Sequence, residues 1–423
     1  MGDKPDMIMD LRHIDWDEKL WERFVRRIKK KVYLSDCEEM GVLSIQNLRN
    51  RSAFDTQVLV KGFLSDYLDK YRPISLNICD VGRQQVTLPL IAETESNAYL
   101  FYCTRLAILK TDSSAAKRVL RYFLDLRLFY NKAYMNFLFF EEELENMLVL
   151  QNVEYREIAK EGNIVDFVRK KLCDGAYVNV QLDEFYIAEK DYYDKRHFVH
   201  ENFIYGFDDE RQLFYAYGIT ERQQTAEFVI TYEELLLSYE KGKLFYFCGA
   251  EYLEWEGYYP VTVNRIGQVS DCEFTEEIFR EKIHAFLNPP ESDRVEGDIH
   301  VYGKNVYEWI LQDLTGENVR KIVDYRLIHL LYEHKCCIRN RLEYLQQAGG
   351  LSDSGQKLYV EIKRVIEDFQ RIRLLYLKQL KKEGKLMDMN RAVENMYARK
   401  QIAEQLADAV KKEAEILGRM FDA

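Results

Sequence analysis

Two histidines three residues apart, His197 and His200, are the clearest candidates for chemistry in the middle of this chain. Imidazole titrates nearest to neutral pH, so it can take up and return a proton during catalysis. His200 is followed by Glu201-Asn-Phe-Ile-Tyr and then Gly206, which predicts a strand that begins at the histidine. A glycine within a strand allows a neighbouring backbone to come close. The alternative is a histidine with a purely structural hydrogen bond.

The elements around these histidines follow from the periodicity of residues 163–218. A short helix over 164–172 precedes an alternating strand over 175–182, and a return strand over 212–217 follows the histidine strand. The strand that ends before Asp183 should neighbour the one that begins at His200. Asp183, Tyr186 and His197 are therefore predicted to line the same cleft and contact substrate. Their alternative role is to cap a strand end or hold a loop.

Residues 163–218, read as a unit, resemble the papain-like domain of butirosin-type acyltransferases and, more distantly, the bacteriocin-processing cysteine peptidases. In these folds the catalytic histidine sits where a central strand begins, which matches His200. The resemblance extends in outline over residues 85–290. The C-terminal motifs Asp324-Tyr-Arg326 and Glu333-His334-Lys335 are similar to tails found on relatives in bacterial peptide-antibiotic clusters.

The resemblance implies that a thiolate attacks a thioester or peptide carbonyl while the histidine shuttles the proton. The family places this nucleophile at the start of the first long helix of the domain. Here the equivalent stretch, residues 93–98, has no cysteine. The candidates are Ser96, which also suits a helix N-cap, and Cys103, which lies further into the helix and also suits a buried thiol. The return strand ends at Tyr217-Gly218 without the expected acid.

The resemblance therefore predicts an acyltransferase-like or amide-bond-forming protein of bacterial secondary metabolism. Its implied partners are an acyl or peptidyl carrier protein, which presents a thioester, and a small-molecule or peptide acceptor. The alternatives are a catalytically degenerate accessory protein and, third, a cysteine peptidase. No cofactor is expected. His329 and Glu333 share a helix face but His334 does not, so no metal site is predicted there.

Composition excludes several other classes of protein. The net charge of −11 argues against nucleic acid or an anionic membrane as a partner. No apolar run reaches the length of a membrane span, and no apolar signal core follows the N-terminus. The eight cysteines show no zinc-finger spacing, and reduced thiols in the cytoplasm are expected.

The predicted fold class is α+β in three parts: a helical N-terminal domain (1–80), a papain-like domain with an antiparallel sheet (85–290) and a C-terminal helical bundle (300–423). The Pro-containing stretch at 288–293 is the predicted linker before the bundle. The more local predictions are helices over 15–34, 55–71, 114–150, 304–314, 318–347, 354–382 and 388–421 and strands over 226–231, 244–247 and 259–265.

Overall fold

A computed structural model gives the fold of the chain and confirms the α+β class with antiparallel sheets and a helical C-terminal region. It describes residues 6–12, 14, 16–34, 39–46, 53–71, 84–130, 136–140, 142–222, 224–246, 259–295, 298–316, 323–385 and 392–421. No helix in these ranges is both long enough and apolar enough to cross a membrane.

The strands and helices are numbered in chain order. The strands are β1 (Met7–Asp10), β2 (Tyr33–Leu34), β3 (Val42–Gln46), β4 (Gln85–Thr87), β5 (Leu126–Tyr130), β6 (Asn136–Phe140), β7 (Leu148–Val153), β8 (Tyr177–Asp183), β9 (Val199–Asp208), β10 (Leu213–Ile219), β11 (Thr225–Thr231), β12 (Val261–Ile266), β13 (Asp293–Val295) and β14 (Asp298–Tyr302). The helices are α1 (Glu18–Ile28), α2 (Ala53–Tyr71), α3 (Leu100–Leu109), α4 (Ser113–Val119), α5 (Tyr155–Lys160), α6 (Ile164–Cys173), α7 (Tyr232–Tyr246), α8 (Glu276–Leu287), α9 (Val306–Thr315), α10 (Tyr325–Gln347), α11 (Asp353–Lys382) and α12 (Met396–Gly418).

The chain forms two compact units, each built from two stretches of sequence. The first contains Met1–Pro89 and Leu150–Arg265, and the second contains Leu90–Val149 and Ile266–Ala423. The predicted linker at 288–293 lies within the second unit. The division into three independently folding parts stays a prediction.

The first unit begins with α1 and α2 beside a small antiparallel sheet of order β1-β3-β2. The apolar stripe of α1 places Trp21, Phe24 and Ile28 in the core. Asp17 caps this helix by accepting the N–H of Leu20 at 2.8 Å. The sequence predicts only helices here, and the predicted helix over 15–34 is wrong beyond Ile28, since Tyr33–Leu34 form β2. Strands this short carry little periodicity.

The main sheet of the first unit has the order β11-β10-β9-β8-β12-β7, with β4 also paired to β9. β9 is therefore a central strand. Val178, Val180 and Leu182 of β8 alternate onto the face that packs with α6 and α7, and all three are fully buried. The predicted helix and strands between 164 and 231 are all present, although the predicted strand at 244–247 is wrong. Residues 244–246 belong to α7, and residue 247 lies outside the described residues.

The second unit combines an antiparallel sheet of order β13-β14-β5-β6 with the long helices α10, α11 and α12. The predicted helix over 114–150 is wrong beyond Val119. Leu126, Leu128 and Tyr130 alternate inward along β5, and a period of two is that of a strand. The C-terminal helices agree with the sequence except at the start of α10 and at both ends of α12, because residues 323–324, 392–395 and 419–421 are not helical. The predicted starts at 318 and 388 lie outside the described residues.

Candidate functional site

The end of β8 is held by Asp183, whose side chain is fully buried in the first unit. Its Oδ1 accepts the backbone N–H of Phe185 at 3.2 Å and that of Phe198 at 3.0 Å. Helix α7 comes close at this point, since a Cβ on Gly242 would lie 3.3 Å from the Asp183 nitrogen. Asp183 therefore fixes both the turn after β8 and the approach to β9.

His197 is oriented by the same carboxylate. Its Nδ1 lies 2.7 Å from Oδ2 of Asp183, and its ring stacks on Phe185 with 4.4 Å between centroids. The Tyr186 ring lies 5.9 Å from the imidazole. Since 33% of the His197 side chain is exposed, a buried carboxylate here positions an imidazole that solvent can reach.

His200 is paired with the neighbouring acid, Glu184. Nδ1 of His200 lies 3.4 Å from Oε1 of Glu184, which in turn lies 3.3 Å from Nζ of the buried Lys190. Burial opposes ionisation of Glu184, but the hydrogen bond with His200 and the charge of Lys190 outweigh it and lower its pKa. Glu184 is thus an ionised carboxylate that faces Nδ1 of His200.

Lys190 is anchored independently of this carboxylate. Its ammonium donates to the carbonyl of Ile219 at 2.7 Å and lies 4.5 Å from the centre of the Phe228 ring. Burial lowers the pKa of Lys190, and the charge of Glu184 acts in the opposite direction. The pair holds the 3-10 turn over Glu184–Tyr186 against β10 and β11.

The structure places His200 as the second residue of β9, opposite Leu182 of β8. The Phe198 ring stacks on the imidazole at 5.3 Å, and 29% of the His200 side chain remains exposed. The local structure therefore brings four predicted site residues into one cluster: Asp183, Tyr186, His197 and His200.

Ser96 belongs to the second unit, where its hydroxyl is held in a hydrogen bond and is not free to act as a nucleophile. The buried hydroxyl donates to Oε2 of Glu333 at 2.5 Å, and the N–H of Asn97 donates to Oε1 at 2.7 Å. Nε2 of His329 contacts Oδ1 of Asn97 at 2.7 Å, while its Nδ1 faces Arg373 at 3.1 Å. An arginine only donates, so Nε2 of His329 carries the proton. This network fastens the segment before α3 to α10.

Cys103 also belongs to the second unit and lies within α3. Its side chain is fully buried, and its thiol donates to the carbonyl of Leu100 at 3.1 Å. In α10, burial raises the pKa of Cys336 and of Cys337. A reactive cysteine needs a stabilised thiolate, and burial of these two residues favours the neutral thiol instead.

Sequence reasoning missed Glu184 and Lys190, and it considered Glu333 only beside His329 and not as the acceptor of the Ser96 hydroxyl. The adjacent acids Asp183-Glu184, followed by two histidines, were the available signal for the first. The described residues contain no group of three or more His, Cys, Asp or Glu side chains placed to hold a metal ion.

Comparison with known proteins assigns the chain to no family: no family model matches it, and no curated protein does. A functional interpretation therefore depends on side-chain geometry. In the cluster of the first unit, that geometry consists of two carboxylate–imidazole pairs, His197 with Asp183 and His200 with Glu184. The two carboxylates belong to adjacent residues, and both imidazoles are partly exposed to solvent.

Proposed function

We propose that the protein has a papain-like domain and is acyltransferase-like or forms amide bonds. In the proposed mechanism His200 is the general base, and no covalent acyl-enzyme forms. One observation carries the proposal: a partly exposed imidazole lies 3.4 Å from the buried carboxylate of Glu184. A carboxylate in this position favours the Nδ1–H tautomer and stabilises the imidazolium that forms when Nε2 takes a proton. The start of a central strand is also where the resemblance expects the histidine.

The proposed reaction uses the acceptor itself as the nucleophile. Nε2 of His200 removes a proton from an amine or hydroxyl of the acceptor while that atom attacks the thioester carbonyl. The new C–N or C–O bond forms, the C–S bond breaks, and the thiol leaves with the proton from the imidazolium. Because Lys190 helps to keep Glu184 ionised, the imidazolium keeps its counter-charge throughout.

The hydrogen bonds that hold the side chains of Ser96 and Cys103 support a mechanism that uses neither residue as the nucleophile. The Ser96 hydroxyl is bound to Glu333, and the Cys103 thiol is bound inside α3. The proposed partners are an acyl or peptidyl carrier protein and a small-molecule or peptide acceptor. A cytoplasmic location is part of the proposal, since the described cysteines are free of disulfides.

The proposal is tested by following transfer from acyl-pantetheine or an acylated carrier protein to a panel of amines by mass spectrometry. We expect His200→Gln to reduce transfer by about 10²–10⁴-fold, the usual contribution of a general base, and Glu184→Gln to reduce it less. Cys103→Ser should keep its activity, and His284→Gln, at an exposed histidine, is the matched control. Transfer that depends on Cys103, or that survives His200→Gln, would overturn the mechanism.

A second candidate is a non-catalytic accessory protein that binds the carrier or peptide. The Glu184–Lys190 ion pair favours it, because a buried charge pair also serves to hold a turn in place. This candidate predicts measurable carrier binding by the wild-type protein with no turnover and no covalent acyl adduct. Binding should then weaken on substitution of the exposed Tyr193, whose backbone N–H donates to the carbonyl of Lys190 at 3.2 Å.

A further inference from the structure

Six cationic side chains cover the outer side of α1 and the turn that follows it. All of them are exposed, and no acidic residue interrupts the segment that they span: Arg23, Arg26, Arg27, Lys29, Lys30 and Lys31. These six residues form the basic surface of the first unit. The whole chain has a net charge of −11, so this local excess of positive charge belongs to a chain that is otherwise even more acidic.

A packed helix holds the basic surface in place. Trp21, Phe24 and Ile28, on the opposite side of α1, are buried in the core. The N–H of Lys31 donates to the carbonyl of Ile28 at 2.8 Å, so hydrogen bonds also order the turn beyond the helix. The charged side chains therefore start from fixed backbone positions. A partner that binds them does not have to order this segment, which lowers the entropic cost of binding.

The structure itself uses only part of this positive charge. Cations near the C-terminus of a helix interact favourably with its dipole, and Arg26 and Arg27 lie in the last turn of α1. The Arg27 guanidinium also lies 5.8 Å from the centre of the Tyr67 ring. In the described part of the chain, however, the lysine side chains at 29–31 have no ion pair or hydrogen bond. Three adjacent ammonium groups are therefore available to an anionic partner.

Carboxylates are anions that suit this surface. A guanidinium binds a carboxylate through two parallel N–H donors, and Arg23, Arg26 and Arg27 present three such groups at helical spacing on one side of α1. The exposed Tyr33, close in sequence to the lysines, adds an aromatic side chain of the type that is enriched in protein interfaces. The combination favours an acidic polypeptide as the partner.

The charge of the rest of the chain argues against larger polyanions. Nucleic acids and anionic membranes extend well beyond a surface of this size, so they also meet the acidic remainder of the protein and are repelled. A short acidic segment covers the basic surface alone. Charges more than about 8 Å away from that segment are largely screened at physiological ionic strength. The charge complementarity is therefore local, and it selects a compact partner.

We propose that the basic surface docks an acidic segment of another polypeptide, whose carboxylates pair with the arginines of α1 and with the three lysines that follow. The inference goes beyond the proposed acyl transfer and does not depend on it, because no residue of the basic surface belongs to the cluster around His200. Loss of docking and loss of transfer are therefore separate outcomes.

The charge requirement is tested with a fluorescein-labelled dodeca-glutamate peptide, whose binding to the full chain is followed by fluorescence anisotropy. We expect saturable binding at about 50 mM NaCl that weakens at least tenfold at about 300 mM, since the contacts join exposed charges. A neutral Gly-Ser peptide of equal length should not bind. No binding of the acidic peptide at low salt, or tighter binding of an oligothymidylate or of phosphatidylserine vesicles, would overturn the proposal.

The location is tested by charge reversal. The triple variant Lys29→Glu, Lys30→Glu, Lys31→Glu should weaken peptide binding by about tenfold or more, because three attractive contacts become repulsive. The matched control changes the net charge equally at exposed positions of α11 and should leave binding unchanged within about twofold, since distant charges are screened: Lys357→Glu, Lys363→Glu, Arg364→Glu.

Glutamine at all three lysine positions is the second variant in case charge reversal prevents folding, which circular dichroism would reveal. Equal losses of binding in the α11 control and the basic-surface variant would mean that net charge alone governs binding. Peptide binding that persists in a folded basic-surface variant places the contact elsewhere. Either result contradicts the assignment.

Discussion

The carboxylate of Asp183 lies 2.7 Å from Nδ1 of His197, and it joins a fully buried side chain to one that is one-third exposed. The same carboxylate accepts two backbone N–H groups, from Phe185 and Phe198. A single side chain therefore determines both the orientation of the imidazole and the path of the chain between β8 and β9.

Asp183→Ala should lower the free energy of unfolding by about 1–3 kcal/mol, because two part-buried N–H groups lose the fully buried carboxylate that accepts them. Urea denaturation measures this loss. Asp174→Ala, at an exposed residue just after α6, is the matched control and should change stability by less than about 0.5 kcal/mol. Similar losses in the two variants would mean that Asp183 does not support this turn.

The pH dependence of stability should report on Asp209. Burial opposes its ionisation, but hydrogen bonds from Arg169, Tyr232 and the N–H of Gln84 outweigh it and lower its pKa. A carboxyl group whose pKa is lower in the folded state stabilises the fold above its unfolded pKa of about 3.9 and loses that contribution as the pH falls further.

Asp209→Asn should therefore be less stable than the wild type at pH 7, and its stability should fall less steeply below about pH 4. Urea denaturation at a series of pH values measures both effects. Asp174→Asn controls for the substitution itself. Parallel pH profiles for Asp209→Asn and the wild type would contradict the assignment.

Two glycines should respond in opposite directions to replacement by alanine. A Cβ on Gly206 of β9 would lie 2.7 Å from the carbonyl oxygen of Val86 and 2.9 Å from the Tyr215 ring, which confirms the close approach expected from the sequence. Gly62 is an exposed glycine within α2, with nothing within 4 Å of the added carbon.

Gly206→Ala should therefore destabilise the protein by about 1–3 kcal/mol, as overpacking does. Gly62→Ala should stabilise it by about 0.5–1 kcal/mol, because alanine has the higher helix propensity. Thermal or urea denaturation distinguishes the two signs. A neutral Gly206→Ala would show that β4 can move away from β9 at little cost.

The thiols should differ in reactivity according to burial. Cys173 is exposed, whereas Cys103 and Cys337 are completely buried. Brief treatment of the native protein with iodoacetamide should label Cys173 first and leave the other two unmodified until the protein is unfolded. Peptide mass spectrometry identifies the labelled positions, and rapid native labelling of Cys103 would contradict its burial. The predicted free thiols Cys37, Cys79 and Cys248 lie outside the described residues.

The sequence by itself determined much of the local structure around the histidines. Periodicity identified α6 and the three strands β8, β9 and β10, and it placed His200 at the start of β9. These elements could be predicted because apolar residues recur with a period of two in a strand and of 3.6 in a helix, and both periods are visible over a few consecutive residues. The aromatic stretch from 126 to 140 misled the same reasoning, since a segment rich in Phe, Tyr and Leu suits a buried helix as well as a strand.

Only the tertiary structure decided which polar groups meet. Ser96 and its acceptor Glu333 are 237 positions apart, and Tyr307 and Glu413 are 106 apart. Lys190 likewise reaches Ile219 and Phe228 from a loop whose own sequence has no clear periodicity. Such pairs form because burial in a packed interior makes an unpaired polar group costly, and packing of distant elements determines which partner is within reach. Local sequence therefore located the histidines and Asp183, and the tertiary structure determined that Glu184, Lys190 and Glu333 are the partners that complete the clusters.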